Sequence, residues 1–253
     1  MGVTVPLAYQ KSMKFFDYQL TTTLNEGLLV DRGREHPMVM CCLNPHSFVT
    51  ALEDEPFHKA LQGCDMLLPD GIGVCMQLKK WRGKVVEKIA GNDFHDQVLA
   101  ELDAMGGSIY YMGSSPQVLA RIEQRLHAEH PRIRVRTYSP PYKPTLAAED
   151  NAAILADINA FGPDALMVGM TAPKQEKWIA EHRHELQGVK VVGAIGGVFD
   201  FYAGTIKRAP QWAISLGIEW LWRFVREPRR MWQRNMVSAP RFLRYCKKHH
   251  EEM

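Results

Sequence analysis

Five polar residues of this chain, Asn44, Asp70, Ser114, Lys174 and Gln175, each stand where a short apolar run gives way to a helical pattern. Asp70 lies in Pro69-Asp70-Gly71-Ile72-Gly73, where two glycines let the backbone approach a ligand. Gly113-Ser114-Ser115-Pro116 sets a glycine, a hydroxyl cap and a first-turn proline ahead of a helix, which leaves free amides at a positive helix end and suits a phosphate. Lys174 and Gln175 project from another helix start, beginning near Pro173. Asn92 or Asp93 is the expected N-cap of a helix from Phe94 to Met105, and capping accounts for this pair as well as ligand binding does. Taken singly, each of these residues is explained by capping. Five of them, after four separate strands, place a binding cleft on one rim.

The elements that must position them follow from the apolar pattern. Met38–Leu43, Asp65–Pro69, Ser108–Met112, Asp164–Met170 and the start of Val191–Asp200 are short apolar runs bounded by turn residues, as buried strands are, and Arg132–Arg136 alternates with period two. Helical spacings separate them, over Ala51–Leu61, Val74–Trp81, Val118–Leu126, Ala147–Phe161 and from Pro173 onward; Phe15–Leu29 reads as a strand leading into a helix. Six strands alternating with helices, without a fixed-period repeat, predict a doubly wound, mostly parallel, Rossmann-like α/β sheet, whose carboxyl edge is where ligands sit. Gly71-x-Gly73 lacks the third glycine of a dinucleotide fingerprint, which counts against a nicotinamide-dependent oxidoreductase. Val191–Asp200 reads as the last strand running into a glycine turn at Gly196-Gly197.

That turn also divides two compositions. From Lys207 onward eleven Lys and Arg face four Glu, a net of +7 that leaves −4 for residues 1–206 of a chain whose total is +3. Trp212, Leu216, Trp220 and Val225 recur at helical spacing, and Trp232, Met236, Phe242 and Leu243 are interleaved with Arg234, Arg241, Arg244, Lys247 and Lys248. We therefore divide the chain into an α/β domain, 1–206, and a basic, amphipathic helical appendage, 207–253, suited to the plane of an anionic membrane. Its first helix serves equally to pack on the domain or on a sister subunit of a homo-oligomer. Nucleic acid is the other anionic partner of a basic aromatic tail, and the many Leu, Ile and Trp residues there favour lipid over it. The five cysteines show no C-x-x-C spacing and read as thiols of a reducing compartment. A secretory signal and a membrane-spanning segment are not expected.

The sequence resembles the bacterial WecG/TagA/CpsF glycosyltransferases, glycosyltransferase family 26, which make surface polysaccharides and teichoic acid linkage units. The resemblance rests on Pro69–Gly73, Gly91–Asp93, Gly113–Pro116, Gly169–Glu176, Gly196–Asp200 and Lys207–Pro210 through Arg223, in family order along nearly the whole chain. It implies transfer, with inversion, of a hexose or N-acetylhexosamine-type sugar from a UDP-sugar to a polyprenyl-diphosphate-linked acceptor, by a peripheral protein at the cytoplasmic face of the plasma membrane. It further implies that Asp70 is the catalytic base, that Asn44 and Gln175 line the donor pocket, and that Arg223 and Arg230 help close the site at the membrane. The best-known members carry Thr where this chain has Cys42.

The chemistry agrees with this placement. A carboxylate such as Asp70 takes the proton of the attacking hydroxyl. Charge on the departing diphosphate must be met by a metal or by amides and cations. The chain has no Asp-x-Asp, so we expect no metal and no cofactor, the diphosphate being met by Ser114, Ser115, Lys174 and the tail arginines, Arg226 among them. Asp93, Gly113 and Gly197 complete the expected donor site. A likeness to exopolysaccharide glucosyltransferases inclines the donor to UDP-glucose, with UDP-N-acetylmannosamine or its uronic acid as the alternative; a nucleotide- or nucleic-acid-binding module without transferase activity is the rival class.

Overall fold

The computed structural model of the protein describes residues 12–24, 29–206 and 232–253. Its centre is a six-stranded, wholly parallel sheet built from β3 (Met38–Leu43), β4 (Met66–Pro69), β5 (Ser108–Gly113), β6 (Arg134–Tyr138), β7 (Ala165–Gly169) and β8 (Val191–Ala194). The strand order is β4-β3-β8-β7-β5-β6. All six expected strands are present, and the doubly wound α/β expectation holds.

Parallel strands need covered faces, and the alternation of side chains shows how they are covered. Val39, Cys41 and Leu43 of β3, Leu166 and Val168 of β7, and Val192 and Ala194 of β8 point into one core. Against it pack α1 (Pro45–Ala51), α2 (Glu55–Gln62), α3 (Ile72–Arg82), α6 (Ala148–Phe161) and α7 (Lys174–His182). Met38 and Met40, Ala165 and Met167, and Val191 point the other way, under α4 (Gly91–Met105), α5 (Pro116–Glu129) and α8 (Gly196–Tyr202). The chain therefore leaves β3 toward one face and the adjacent β8 toward the other. Such a reversal opens a crevice beyond the carboxyl ends of the two strands.

Three local readings change. The helix expected over Ala51–Leu61 starts only at Glu55, because Asp54 accepts the Phe57 N–H as its N-cap and Pro56 fits the first turn, and ahead of it Asn44 caps a further helix, α1, with Pro45 in its first turn. Phe16-Asp17 is the turn of an antiparallel hairpin, β1 (Ser12–Phe15) with β2 (Tyr18–Thr21), and not part of a lead-in to a helix; Phe16 takes φ 52° there. Gly196-Gly197 opens α8 in place of a glycine turn.

The end of the chain is part of the first core. In the final helix, α9 (Ala239–Lys248), Phe242 and Cys246 are buried, with Phe242 among Phe15 and Phe48 at ring-centroid separations of 6.2 and 5.3 Å. Residues 207–231, which carry the boundary between the two compositions, lie outside the described residues.

Candidate active site

Asn44 and Asp70 are brought together by strand register. Leu43 of β3 and Pro69 of β4 are partners, so the next residue of each strand sits at the same edge, and the Asp70 N–H donates to the Leu43 carbonyl at 3.0 Å. The two glycines after Asp70 make this approach feasible. Gly71 has φ 136°, and a Cβ on Gly73 would stand 2.7 Å from Pro45 Cγ. Asn44 Oδ1 accepts the N–H groups of His46 and Ser47, both at 3.0 Å, while Ser47 Oγ accepts the Asn44 N–H at 2.8 Å. With Oδ1 spent on this capping box, a ligand contact by Asn44 falls to its Nδ2.

Across the crevice, a relay of side chains ties α7 to the start of α8. The Gly196 N–H donates to Gln175 Oε1 at 3.1 Å, and Gln175 Nε2 donates to Glu176 Oε1 at 2.9 Å. Gln175 and Glu176 are both buried, and Glu176 Oε2 has no hydrogen-bond partner. Burial pushes the Glu176 carboxyl up to about 7, the bond from Gln175 opposing it. In the sequence Glu176 stands out only as the last residue of the Gly169–Glu176 stretch, with no role attached to it; nothing in its spacing shows that this helix turn is buried.

Cys42, the second-last residue of β3, feels the carboxyls of both Asp70 and Glu176. Its thiol is pushed well up, first by burial and then by the negative charges of Asp70 and Glu176, so it is a neutral contact. A Cβ on Gly91 would lie 3.7 Å from Cys42 Sγ and 3.4 Å from Ile195 Cγ2, which places the first turn of α4 beside the crevice. Asp93 sits in that turn, and the expectation that Asn92 or Asp93 is the N-cap is corrected. The cap is Ala90, whose N–H donates to Asp93 Oδ2 at 2.8 Å, so Asp93 stands at the third helical position of the motif.

The phosphate-cradle residues stand further along the same edge, at the end of β5. Ser115 caps α5 and accepts the Val118 N–H at 3.4 Å, and Pro116 occupies the first turn. Ser114 takes φ 58° and donates its N–H to the Gly169 carbonyl at 3.0 Å. A Cβ on Gly113 would fall 2.4 Å from that same carbonyl oxygen, so only glycine lets the ends of β5 and β7 close this tightly. Lys174 is less central than expected: its Nζ donates to the Lys143 carbonyl at 2.6 Å, and burial lowers its pKa. Asn44, Asp70, Gln175 and Gly196-Gly197 thus surround the β3/β8 crevice, Ser114 and Ser115 lie beyond β7, and Lys174 is turned aside. Arg223, Arg226 and Arg230 lie outside the described residues.

One connection was not foreseen. His46 Nδ1 and Ser238 Oγ are 2.8 Å apart, joining the start of α1 to the end of the π-helical segment Gln233–Ser238 that runs into α9. Burial, and secondarily Arg234, lowers the His46 pKa. At the opposite, amino edge of the sheet a depression lined by Arg34, His36, Asp65 and Arg183 is braced from within by the Arg183–Asp65 ion pair at 3.0 Å, which accounts for it as loop packing. Among the described residues no group of three or more His, Cys, Asp or Glu is arranged to hold a metal ion, and no helix is long and apolar enough to cross a membrane.

The model of the glycosyl transferase WecG/TagA/CpsF family matches residues 15–251. A protein of Bacillus subtilis (strain 168) named N-acetylglucosaminyldiphosphoundecaprenol N-acetyl-beta-D-mannosaminyltransferase is 31% identical over 204 residues, 81% of this chain and 77% of the relative. A protein of the same name from Bacillus spizizenii (strain ATCC 23059 / NRRL B-14472 / W23) is 30% identical over 239 residues, 94% of this chain and 89% of the relative.

Proposed function

Because the chain belongs to the WecG/TagA/CpsF family of glycosyl transferases, we propose that it moves N-acetylmannosamine from its UDP-sugar to a polyprenyl-diphosphate-linked N-acetylglucosamine, working as a peripheral protein at the cytoplasmic face of the membrane. The leaning to UDP-glucose is given up, since both relatives are named for N-acetylmannosaminyl transfer. The observation that carries the mechanism is the register that sets Asp70 beside Asn44 at the mouth of the β3/β8 crevice.

In this reading the Asp70 carboxylate accepts the proton of the acceptor hydroxyl as that oxygen bonds to the anomeric carbon, and the bond from that carbon to the UDP oxygen breaks. From an α-linked donor, such an inversion would give the β linkage printed in the relatives' names. Asn44 Nδ2 and the second N–H of Gln175 Nε2 hold the donor, and Gly197, in the first turn of α8, lets it approach the backbone. The amide end of α5, with Ser114 and Ser115, and the arginines Arg223, Arg226 and Arg230 meet the diphosphate.

The test offers UDP-N-acetylmannosamine and UDP-glucose with the lipid-linked acceptor. Transfer is expected from the first, and transfer from UDP-glucose alone overturns the donor assignment. Asp70→Asn should keep UDP affinity while turnover falls by about 10²- to 10⁴-fold, the range of a general base; wild-type turnover would move the base elsewhere, first to Asp93. Catalysis through helix ends and cations needs no divalent ion, so turnover should be unchanged in EDTA. Loss of turnover restored by Mn²⁺ or Mg²⁺ would refute that part.

A further inference from the structure

Helix α3 begins two residues after Asp70 and carries a stripe that the other described residues leave exposed. Ile72 and Met76, one helical turn apart, are 48% and 57% exposed, and Val85, just past the helix end, is 78% exposed. The opposite side of α3 is core: Val74, Cys75, Gln77 and Leu78 are buried. The exposed apolar positions thus form a second, outward face on a helix that already has its packing partner.

The charge around that face has one sign. Residues 71–90 hold Lys79, Lys80, Arg82, Lys84 and Lys88 against the single acid Glu87, although residues 1–206 as a whole carry a net negative charge. Lys79, Lys80, Arg82 and Lys84 are exposed. Ile72, Met76, Lys80 and Gly83 follow helical spacing, so the stripe is apolar at the end near the crevice and basic at the far end.

This face adjoins another of the same kind. Trp81 of α3 stacks on His250, just beyond α9, with ring centroids 4.3 Å apart, and a Cβ on Gly73 would lie 3.9 Å from the Phe242 ring. Leu243 of α9 is 49% exposed beside exposed Arg244, Lys247 and Lys248, and Trp232, Met236 and Val237 are exposed in the helical segment that runs into it, π-helical over Gln233–Ser238.

We propose that the outer face of α3 and the loop after it are a lipid-docking surface, which rests on anionic bilayer together with α9 and holds the mouth of the crevice against the membrane. Apolar side chains enter the acyl boundary while lysines reach the headgroup phosphates. The surface rests on the lipid-linked acceptor reading, since such an acceptor presents its sugar at the bilayer surface. The competing cover is this chain's own residues 207–231. They hold six Lys and Arg against two Glu, so their charge repels that of α3 where an anionic bilayer attracts it.

The experiment uses the full chain in two exposed-surface variants, Met76→Ser/Val85→Ser and Lys79→Gln/Lys80→Gln. Each is sedimented with vesicles of phosphatidylglycerol and phosphatidylethanolamine, and with phosphatidylcholine alone. The wild type should partition onto the anionic vesicles, and each double variant should lose about tenfold or more of that partitioning, with UDP affinity and thermal midpoint unchanged. Wild-type partitioning by both variants overturns the proposal. So does unchanged partitioning with a lowered midpoint in Met76→Ser/Val85→Ser, which would show that the chain covers this face itself. Sedimentation needs no turnover: the expected losses in a protein that transfers no sugar would sustain the surface and sink the transferase reading. For an active enzyme, the variants should slow transfer to acceptor embedded in vesicles and leave transfer to a short-chain, water-soluble acceptor at the wild-type rate; equal slowing on both overturns the docking role.

Discussion

Asp70 and Glu176 show two uses of a carboxyl on one rim. Asp70 is partly exposed on a turn where a hydroxyl can reach it, and it is legible from its glycines alone. Glu176 is 3% exposed, and its consequence is thermodynamic. Burial raises it from an ordinary 4.5 to about 7 in the folded protein. Between those values the unfolded chain has released a proton that the folded chain retains, so stability falls as pH rises through that window and levels off above it. The cost above pH 7 is about 3 kcal/mol. Glu176→Gln keeps an acceptor for Gln175 and removes the titration. In urea unfolding at pH 5 and pH 8, the wild type should lose about 3 kcal/mol more than the variant between the two. Equal losses would mean that Glu176 is ionised in the folded state and that burial does not set its protonation.

At the scale of elements, what the sequence showed is what short-range patterning controls. Apolar runs stopped by Asn44-Pro45, Pro69-Asp70 and Gly113-Ser114 located strands and turns, because burial on both faces selects such runs and turn residues end them. The breaks it hid depend on partners distant in sequence. Phe16-Asp17 turns because Phe15, Phe16 and Tyr18 pack on Phe48, which belongs to another element. Gly196 opens a helix because its N–H finds Gln175 from α7. That junction is tight: a Cβ on Gly196 would stand 2.5 Å from the Met170 carbonyl oxygen and 2.7 Å from Gln175 Oε1. A backbone carbonyl cannot swing aside, so Gly196→Ala must shift α8 and break the bond to Gln175. We expect a loss of about 1–3 kcal/mol in stability, as for other overpacked sites, with a weakened affinity for UDP-sugar. Unchanged calorimetric affinity in a destabilised variant would remove the Gln175–Gly196 junction from the donor site.

For the whole molecule, the polarised charge is a sound guide to surfaces and a poor one to what is separable. A tail of net +7 after a domain of net −4 suggests that cutting at Lys207 leaves a soluble, folded domain. The structure argues otherwise, because α9 closes the core. Phe242 is fully buried between Phe15 and Phe48, Cys246 is buried one turn later, and the last residue, Met253, is 1% exposed. The basic residues of α9 are its outer side only, a partition that composition averages away. Truncation would expose Phe15, Phe16 and Phe48 together and leave the hairpin without its cover, so the shortened chain should aggregate or unfold, and its failure to bind membrane would carry no information about docking. Phe242→Ala isolates the packing contribution: it should lower the unfolding free energy by about 3–5 kcal/mol, as emptying a buried phenylalanine site does. A loss below about 1 kcal/mol, or a chain ending at residue 206 that unfolds cooperatively at the wild-type midpoint, would show that the C-terminal helix is an appendage after all.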